Sequence, residues 1–260
     1  QGITIDALTI QNEPLHPGNN PSLLMLADQQ ANFIKNDLGP TFKNLGIKTK
    51  IIIYDHNADR PDYPISILND ADAAQYIDGS AFHMYGGEIE ALSEVHEAHP
   101  TKNLYFTEQW VGAPGDFAGD VAWHNEVLII GATRNWSKTV LEWNVAADEH
   151  QNPHTDRGGC DRCLGALTII GDSIVRNPSY YIIAQASKFV SPGSVRMAST
   201  TLDNVPNVAF KTPDGELVTI LQNKEAAAKT IEIQLGETAI FVEIPAKSIG
   251  TLVYKNPNGS

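Results

Sequence analysis

Short apolar runs alternate with longer amphipathic stretches through the first 190 residues. The runs ITIDALTI (3–10), TKIIIY (49–54), GSAFHMY (79–85), NLYFTE (103–108) and KTVLEWN (138–144) are predicted strands. Helical patterns lie between them: one from Pro21, one from Ile65, one from Glu88 and one across 119–134, with a further helix from Pro178 after the fifth strand. In the first helix Leu23, Leu26, Gln30, Phe33, Ile34 and Leu38 fall close to one face, and Gly39-Pro40 is predicted to stop it. Apolar strands alternating with helices imply a parallel sheet with both faces buried.

The texture changes after Ser191-Pro192-Gly193. SVRMAS, NVAFKT, ELVTILQN, KTIEIQL, AIFVEI and GTLVYK are short alternating runs without helical period, broken by turn signals such as Pro213-Asp214-Gly215. They predict an antiparallel β-sandwich. The fold class is therefore α/β plus all-β, with an α/β domain over 1–190 and a β-sandwich domain over 191–260.

Composition narrows the function. Hydrophobic residues at 42% and charged residues at 19% describe a globular chain, not a disordered one. A formal net charge of −13 repels phosphate backbones, which argues against nucleic-acid binding. No apolar run approaches a membrane span. The chain begins at Gln1 without a signal peptide, so the start is read as processed, truncated or engineered. The two cysteines, Cys160 and Cys163, sit in the Gly-rich loop GGCDRC. Zinc would need further ligands, with His150 and His154 the nearest, and a redox motif would follow a strand and open a helix. A small disulfide-closed loop in an extracytoplasmic protein is the first expectation, two free thiols the second, and no metal or cofactor is predicted.

Unusual residues fall at strand ends. Asn12-Glu13 close the first strand, His83 and Tyr85 the third, Glu108 the fourth, and Glu142, Trp143 and Asn144 the fifth. In a β/α barrel the C-terminal strand ends converge on one face, where chemistry is done. Each residue alone reads equally as a satisfied polar group at a strand–loop junction. Together, two carboxylates with aromatics nearby suit glycosidic hydrolysis, in which one carboxyl is protonated to assist the leaving oxygen and the other is ionised to attack the anomeric carbon. Pro14 forbids the strand from continuing past Glu13. Asp55-His56-Asn57 with Asp59 matches no calcium loop and reads as an Asx-stabilised turn. His96 and His99 read as solvated, and Trp110 and Trp123 read equally as sugar platforms or loop packing.

TIQNEP, AFHMY, FTEQW and LEWN resemble the strand-end motifs of glycoside hydrolase family 30, which includes glucosylceramidases and β-1,6-glucanases. The likeness extends through NFIKNDLGP, YDHNADRPDYP, RNWSKTVLEWN and ASKFVSPGSVR, over nearly the whole chain. By position it implies Glu13 as general acid/base and Glu108 as nucleophile of a retaining β-glycosidase acting on β-glucosides. Asn12, His83, Tyr85 and Trp143 would line the subsite for the glycone. It implies a TIM-type (β/α)8 barrel of which five units are present, the N-terminal three being absent, followed by the sandwich.

Open barrel edges would then be covered by another copy or by an N-terminal fragment. The expected substrate is a carbohydrate, either β-1,6-glucan or a glucosylceramide-like glucoside, and the expected location is extracellular or periplasmic. A non-catalytic carbohydrate-binding fragment of such an enzyme is the alternative.

Overall fold

The computed structural model describes residues 2–18, 21–157 and 159–255. The strands are β1 (Ala7–Thr9), β2 (Lys50–Ala58), β3 (Ile77–Gly87), β4 (Asn103–Glu108), a two-residue β5 (Val111–Gly112) and β6 (Ser137–Val140). All but β5 pair in parallel in the order β1-β2-β3-β4-β6, curling as half of a TIM barrel. The intervening helices bury one face of this sheet. Ile53, Tyr54, Phe82, Leu104 and Phe106 pack there against Ile34, Ile67, Leu92, Val95 and Leu128. The opposite face carries a smaller cluster of Ile52, Ala81 and Tyr105.

Several element boundaries differ from the sequence reading. The first strand is three residues long, and 21–26 are not helical. That segment is tied down instead: the Met25 N–H donates to the Pro14 carbonyl at 2.9 Å, and the Tyr63 hydroxyl donates to the Met25 carbonyl at 2.9 Å. Leu23, Leu24 and Leu26 consequently stay exposed.

Helix α1 (Ala27–Phe33) also does not stop at Gly39-Pro40. It passes through a π-helical turn, Ile34–Leu38, into α2 (Gly39–Leu45). Pro40 lies just past the π-helical turn, inside the continuous run. Gly39 is required there because a Cβ would lie 2.3 Å from Cγ of Tyr76. The actual stop is Gly46, left-handed at φ 67°, with Ile47 N–H bonded back to Phe42.

The fifth parallel strand, predicted to run to Asn144, ends at Val140. Beyond it come β7 (Ala146–Asp148), β8 (Cys163–Leu164), β9 (Leu167–Ile170) and β10 (Ser173–Arg176), a region in which the sequence reading found no strand. Antiparallel pairing of β10 with β9 and parallel pairing of β7 with β9 make a small second sheet, while β8 pairs with β5.

All six alternating runs at the C-terminus form strands. β11 (Val195–Met197), β12 (Asn207–Lys211) and β13 (Glu216–Asn223) join β16 (Ser248–Lys255) in one antiparallel sheet. β14 (Lys229–Leu235) and β15 (Thr238–Ile244) form the facing hairpin. Gly215 closes the β12–β13 turn at φ 84°, donating to Thr212. Val208, Phe210, Val218 and Ile220 seat this sandwich on Ile129, Ile130 and Ile182 of the barrel helices.

Candidate functional site

The C-terminal ends of β1 to β4 converge on one face of the curled sheet, and the backbone is bent at the ends of the first two. Glu13 adopts φ 47°, and Tyr54 and Asp55 adopt φ 73° and 60°. Left-handed backbone is costly for residues other than glycine and gathers where a site demands it. At Tyr54–Asp55 the β2–β3 register slips, which is a bulge that re-aims Asp55. The bulge is pinned by Gln30, fully buried on α1, whose Oε1 accepts the Tyr54 N–H at 3.1 Å. The Glu13 N–H in turn donates to the Asp55 carbonyl at 2.9 Å, so the first and second strand ends hold each other.

His83 sits beneath the convergence point and is 1% exposed. Its Nδ1 is 3.1 Å from Glu13 Oε1 and 4.0 Å from Glu108 Oε1, and its Nε2 is 3.1 Å from Asp55 Oδ1. Asp55 also accepts from the Thr9 hydroxyl at 2.6 Å and the Thr107 hydroxyl at 2.7 Å. The Tyr85 hydroxyl donates to Glu108 Oε1 at 3.0 Å. A carboxylate oxygen of each glutamate and one His83 nitrogen all lie within 4.8 Å of one another.

Charges are tightly matched. Burial opposes protonation of His83, but the hydrogen bonds to Asp55 and Glu13 and the nearby carboxylate charges outweigh it and hold its pKa up at about 9. Burial works against ionised Asp55 too, yet His83 and the two threonine hydroxyls keep its carboxyl below the ordinary range. Burial pushes the Glu108 carboxyl up, with the His83 charge and the Tyr85 hydroxyl pulling the other way. The Tyr85 phenol is pushed up by burial and by the Glu108 charge. Glu13, His83 and Glu108 have the donor types of a cation site, but the His83 Nδ1 that would face an ion lies at hydrogen-bond distance, 3.1 Å, from Glu13 Oε1.

A cleft of about 690 Å³ opens over the pair. Asn12, Glu13, Tyr85, Glu108, Trp110 and Trp143 line it, together with His56, Asn57 and the Cys160–Cys163 loop. Five of the six residues expected at the sugar site thus reach the cleft surface. His83 does not: both its nitrogens are engaged with carboxylates, and it supports the wall instead of forming it. Glu142, part of the strand-end pattern, also turns away. It is clamped by His124 Nδ1 at 2.8 Å and the Ser179 hydroxyl at 3.2 Å, between the helices Phe117–His124 and Pro178–Ser187. Trp143 beside it stays 48% exposed and pairs through the backbone with Trp110.

Sequence reasoning missed Asp55. The run IIIYDHN was read as a strand followed by a turn, although a charged residue ending four apolar ones repeats the pattern of the other strand ends. Cys160 and Cys163 are disulfide-bonded, as first expected, but the reading did not place their loop at the cleft, where the Arg162 guanidinium lies 5.2 Å from the Trp110 ring centroid. His96, expected to be solvated, stacks on Trp136 with ring centroids 3.8 Å apart.

Comparison with known proteins matches residues 1–190 to the glycosyl hydrolase family 30 TIM-barrel domain and residues 193–252 to the family's β-sandwich domain. An endo-1,6-β-D-glucanase of Neurospora crassa is 34% identical over 98% of this chain and 53% of its own length. The mouse lysosomal acid glucosylceramidase is 25% identical over 98% of this chain and 53% of its own. A solved endo-β1,6-glucanase superposes with a TM-score of 0.90 at 37% identity, covering 98% of this chain and 59% of that one. The chain spans about half the length of the curated relatives it matches.

Proposed function

We propose, for a chain that belongs to glycosyl hydrolase family 30, that its cleft hydrolyses β-glucosidic bonds with retention of configuration, and that β-1,6-glucan is the substrate. The observation that carries the reading is the spacing of the two glutamates, whose nearest oxygens fall within 4.8 Å. Retaining enzymes hold their carboxyl groups about 5–5.5 Å apart, whereas inverting ones leave roughly 6.5–9.5 Å for a water molecule. Higher identity to endo-1,6-β-glucanases than to the glucosylceramidase favours glucan over a glucosyl lipid.

In this scheme Glu108 attacks the anomeric carbon while Glu13 protonates the departing glycosidic oxygen, which keeps the bonding electron pair. Glu13 then takes a proton from water, and the water oxygen displaces Glu108 from the anomeric carbon. The Tyr85 hydroxyl steadies the Glu108 oxygen. Asn12, beside Glu13, is placed to bond the sugar 2-hydroxyl, a contact that strengthens in the transition state. Trp143 and Trp110 offer aromatic surface to the sugar. The Cys160–Cys163 bridge supports a location in an oxidising compartment, outside the cytoplasm.

The test uses the full-length protein and a 2-deoxy-2-fluoro-β-glucoside inactivator. Labelling of Glu108, together with turnover of β-1,6-glucan and release of the β-anomer, is expected. Binding of glucan without labelling or turnover would mark the protein as a carbohydrate-binding module instead.

A further inference from the structure

We propose that Asp55 is a positioning residue that holds His83 as a proton store for Glu13, so that the proton delivered to the glycosidic oxygen is shared between Glu13 Oε1 and His83 Nδ1. The inference rests on Glu13 acting as the acid/base. Proton counting supports it. Both ring nitrogens of His83 face carboxylate oxygens at 3.1 Å. With Glu13 and Asp55 ionised, an imidazolium satisfies both contacts by donating from each nitrogen. With Glu13 protonated, a neutral imidazole satisfies them equally: Nε2–H donates to Asp55, and Nδ1 accepts from the Glu13 O–H. The two states contain the same protons and the same hydrogen bonds, and one proton moving along the Glu13–His83 contact interconverts them.

Asp55 makes this possible by fixing which nitrogen is always protonated. It is itself immobile, held by Thr9 from β1 and by Thr107 from β4, and it is buried. Its own carbonyl receives the Glu13 N–H, so donor and acceptor are positioned by one residue. The charged or titratable groups around His83 are Glu13 from the first strand end, Asp55 and His56 from β2, Glu108 at 4.0 Å from β4, and Tyr85 on its own strand. Among these, Asp55 is the group bonded to Nε2.

In glycosylation the shared proton goes to the leaving oxygen as its bond to the anomeric carbon breaks and Glu108 bonds to that carbon. The pair is left as the Glu13 carboxylate and neutral His83. In deglycosylation a water proton returns to the pair, the remaining hydroxide oxygen bonds the anomeric carbon, and Glu108 leaves. The store is then full again.

Asp55→Asn in the full-length protein removes the charge and keeps the shape. The basic limb of the kcat/KM profile on β-1,6-glucan is expected to move down by about one pH unit, and kcat to fall about 10²-fold. The kcat/KM for 2,4-dinitrophenyl β-glucoside, which reports glycosylation alone and whose leaving group needs no proton, should stay within a few-fold. An unmoved basic limb, or equal losses on both substrates, would overturn the proposal. A second measurement requires neither turnover nor a folded variant: imidazole ¹⁵N signals of His83 in the unaltered protein. Nε2 should stay protonated throughout the active pH range while Nδ1 shows the shared proton; a bare Nε2 would overturn the assignment. A protein inactive on both substrates would refute the proposed function, and the ¹⁵N signals would still decide the inference.

Discussion

Raising the pH through the titration of His83 is expected to remove about 3 kcal/mol of folding stability. The imidazole moves from its ordinary 6.5 to about 9 on folding, and each pH unit of such displacement is worth about 1.4 kcal/mol. At 1% exposure no discount for solvent screening applies. The folded pKa is raised, so the stabilisation is complete below 6.5 and is lost as the pH climbs through 9. Asp55 acts with the opposite sign: its contribution is present above 3.8 and is lost as the pH falls through its depressed folded value. Both shifts describe one contact, so they are not added. The assay is urea unfolding from about pH 6 to about pH 10, on the full-length protein and on its His83→Gln variant, whose amide still offers Asp55 a donor. The stability difference between the two proteins should shrink by about 3 kcal/mol across that range. A difference constant to within about 0.5 kcal/mol would refute the reasoning.

Glu13→Ala should retain activity on dinitrophenyl glucosides, and azide should rescue it as a β-glucosyl azide, whereas Glu108→Gln should form no glycosyl-enzyme; mass spectrometry of products and protein checks both. With Glu108 raised by burial, the acid limb of the kcat/KM profile should lie above the ordinary glutamate range, and a limb within that range would count against Glu108 as the ionised nucleophile. Phe106→Ala, at a fully buried position between sheet and helices, should cost about 3–5 kcal/mol in denaturant unfolding. The sheet ends in β1 and β6, near exposed Ile3, Ile5, Leu141 and Val145. The 260-residue chain on its own is therefore expected to associate through these edges, and a monomer persisting across a light-scattering dilution series would count against it.

Periodicity found the parallel strands and the C-terminal strands because most of them bury an apolar face, as β2, β3 and β13 do, and burial writes itself into sequence at a period of two or as an unbroken run. It failed where backbone rather than side chains decides. Nothing in the pattern around Gly39-Pro40 announces a π-turn or the close approach of Tyr76 to Gly39. The segment 141–177 lacks period because its strands are short and partly exposed. At the site, Glu13 and Glu108 were legible as carboxylates ending apolar strands. Asp55 ends one as well, but Asp followed by His and Asn has the composition of a turn, and only the bulge at Tyr54–Asp55 turns it inward. Glu142 was the converse case, a strand-end carboxylate whose partners, His124 and Ser179, lie on helices that strand patterns do not describe.

The Cys160–Cys163 bridge joins residues three apart. A ring that small removes little freedom from an unfolded chain, so its contribution to global stability is minor. Its place in the wall facing Trp110 and Trp143 gives it another consequence. The shape of the cleft wall is completed by an oxidation, not by folding alone. Chains made where thiols stay reduced would melt at nearly the same temperature as oxidised ones, yet have a slack cleft wall. Purity and thermal stability would not tell the two preparations apart; their Michaelis constants for long glucans would.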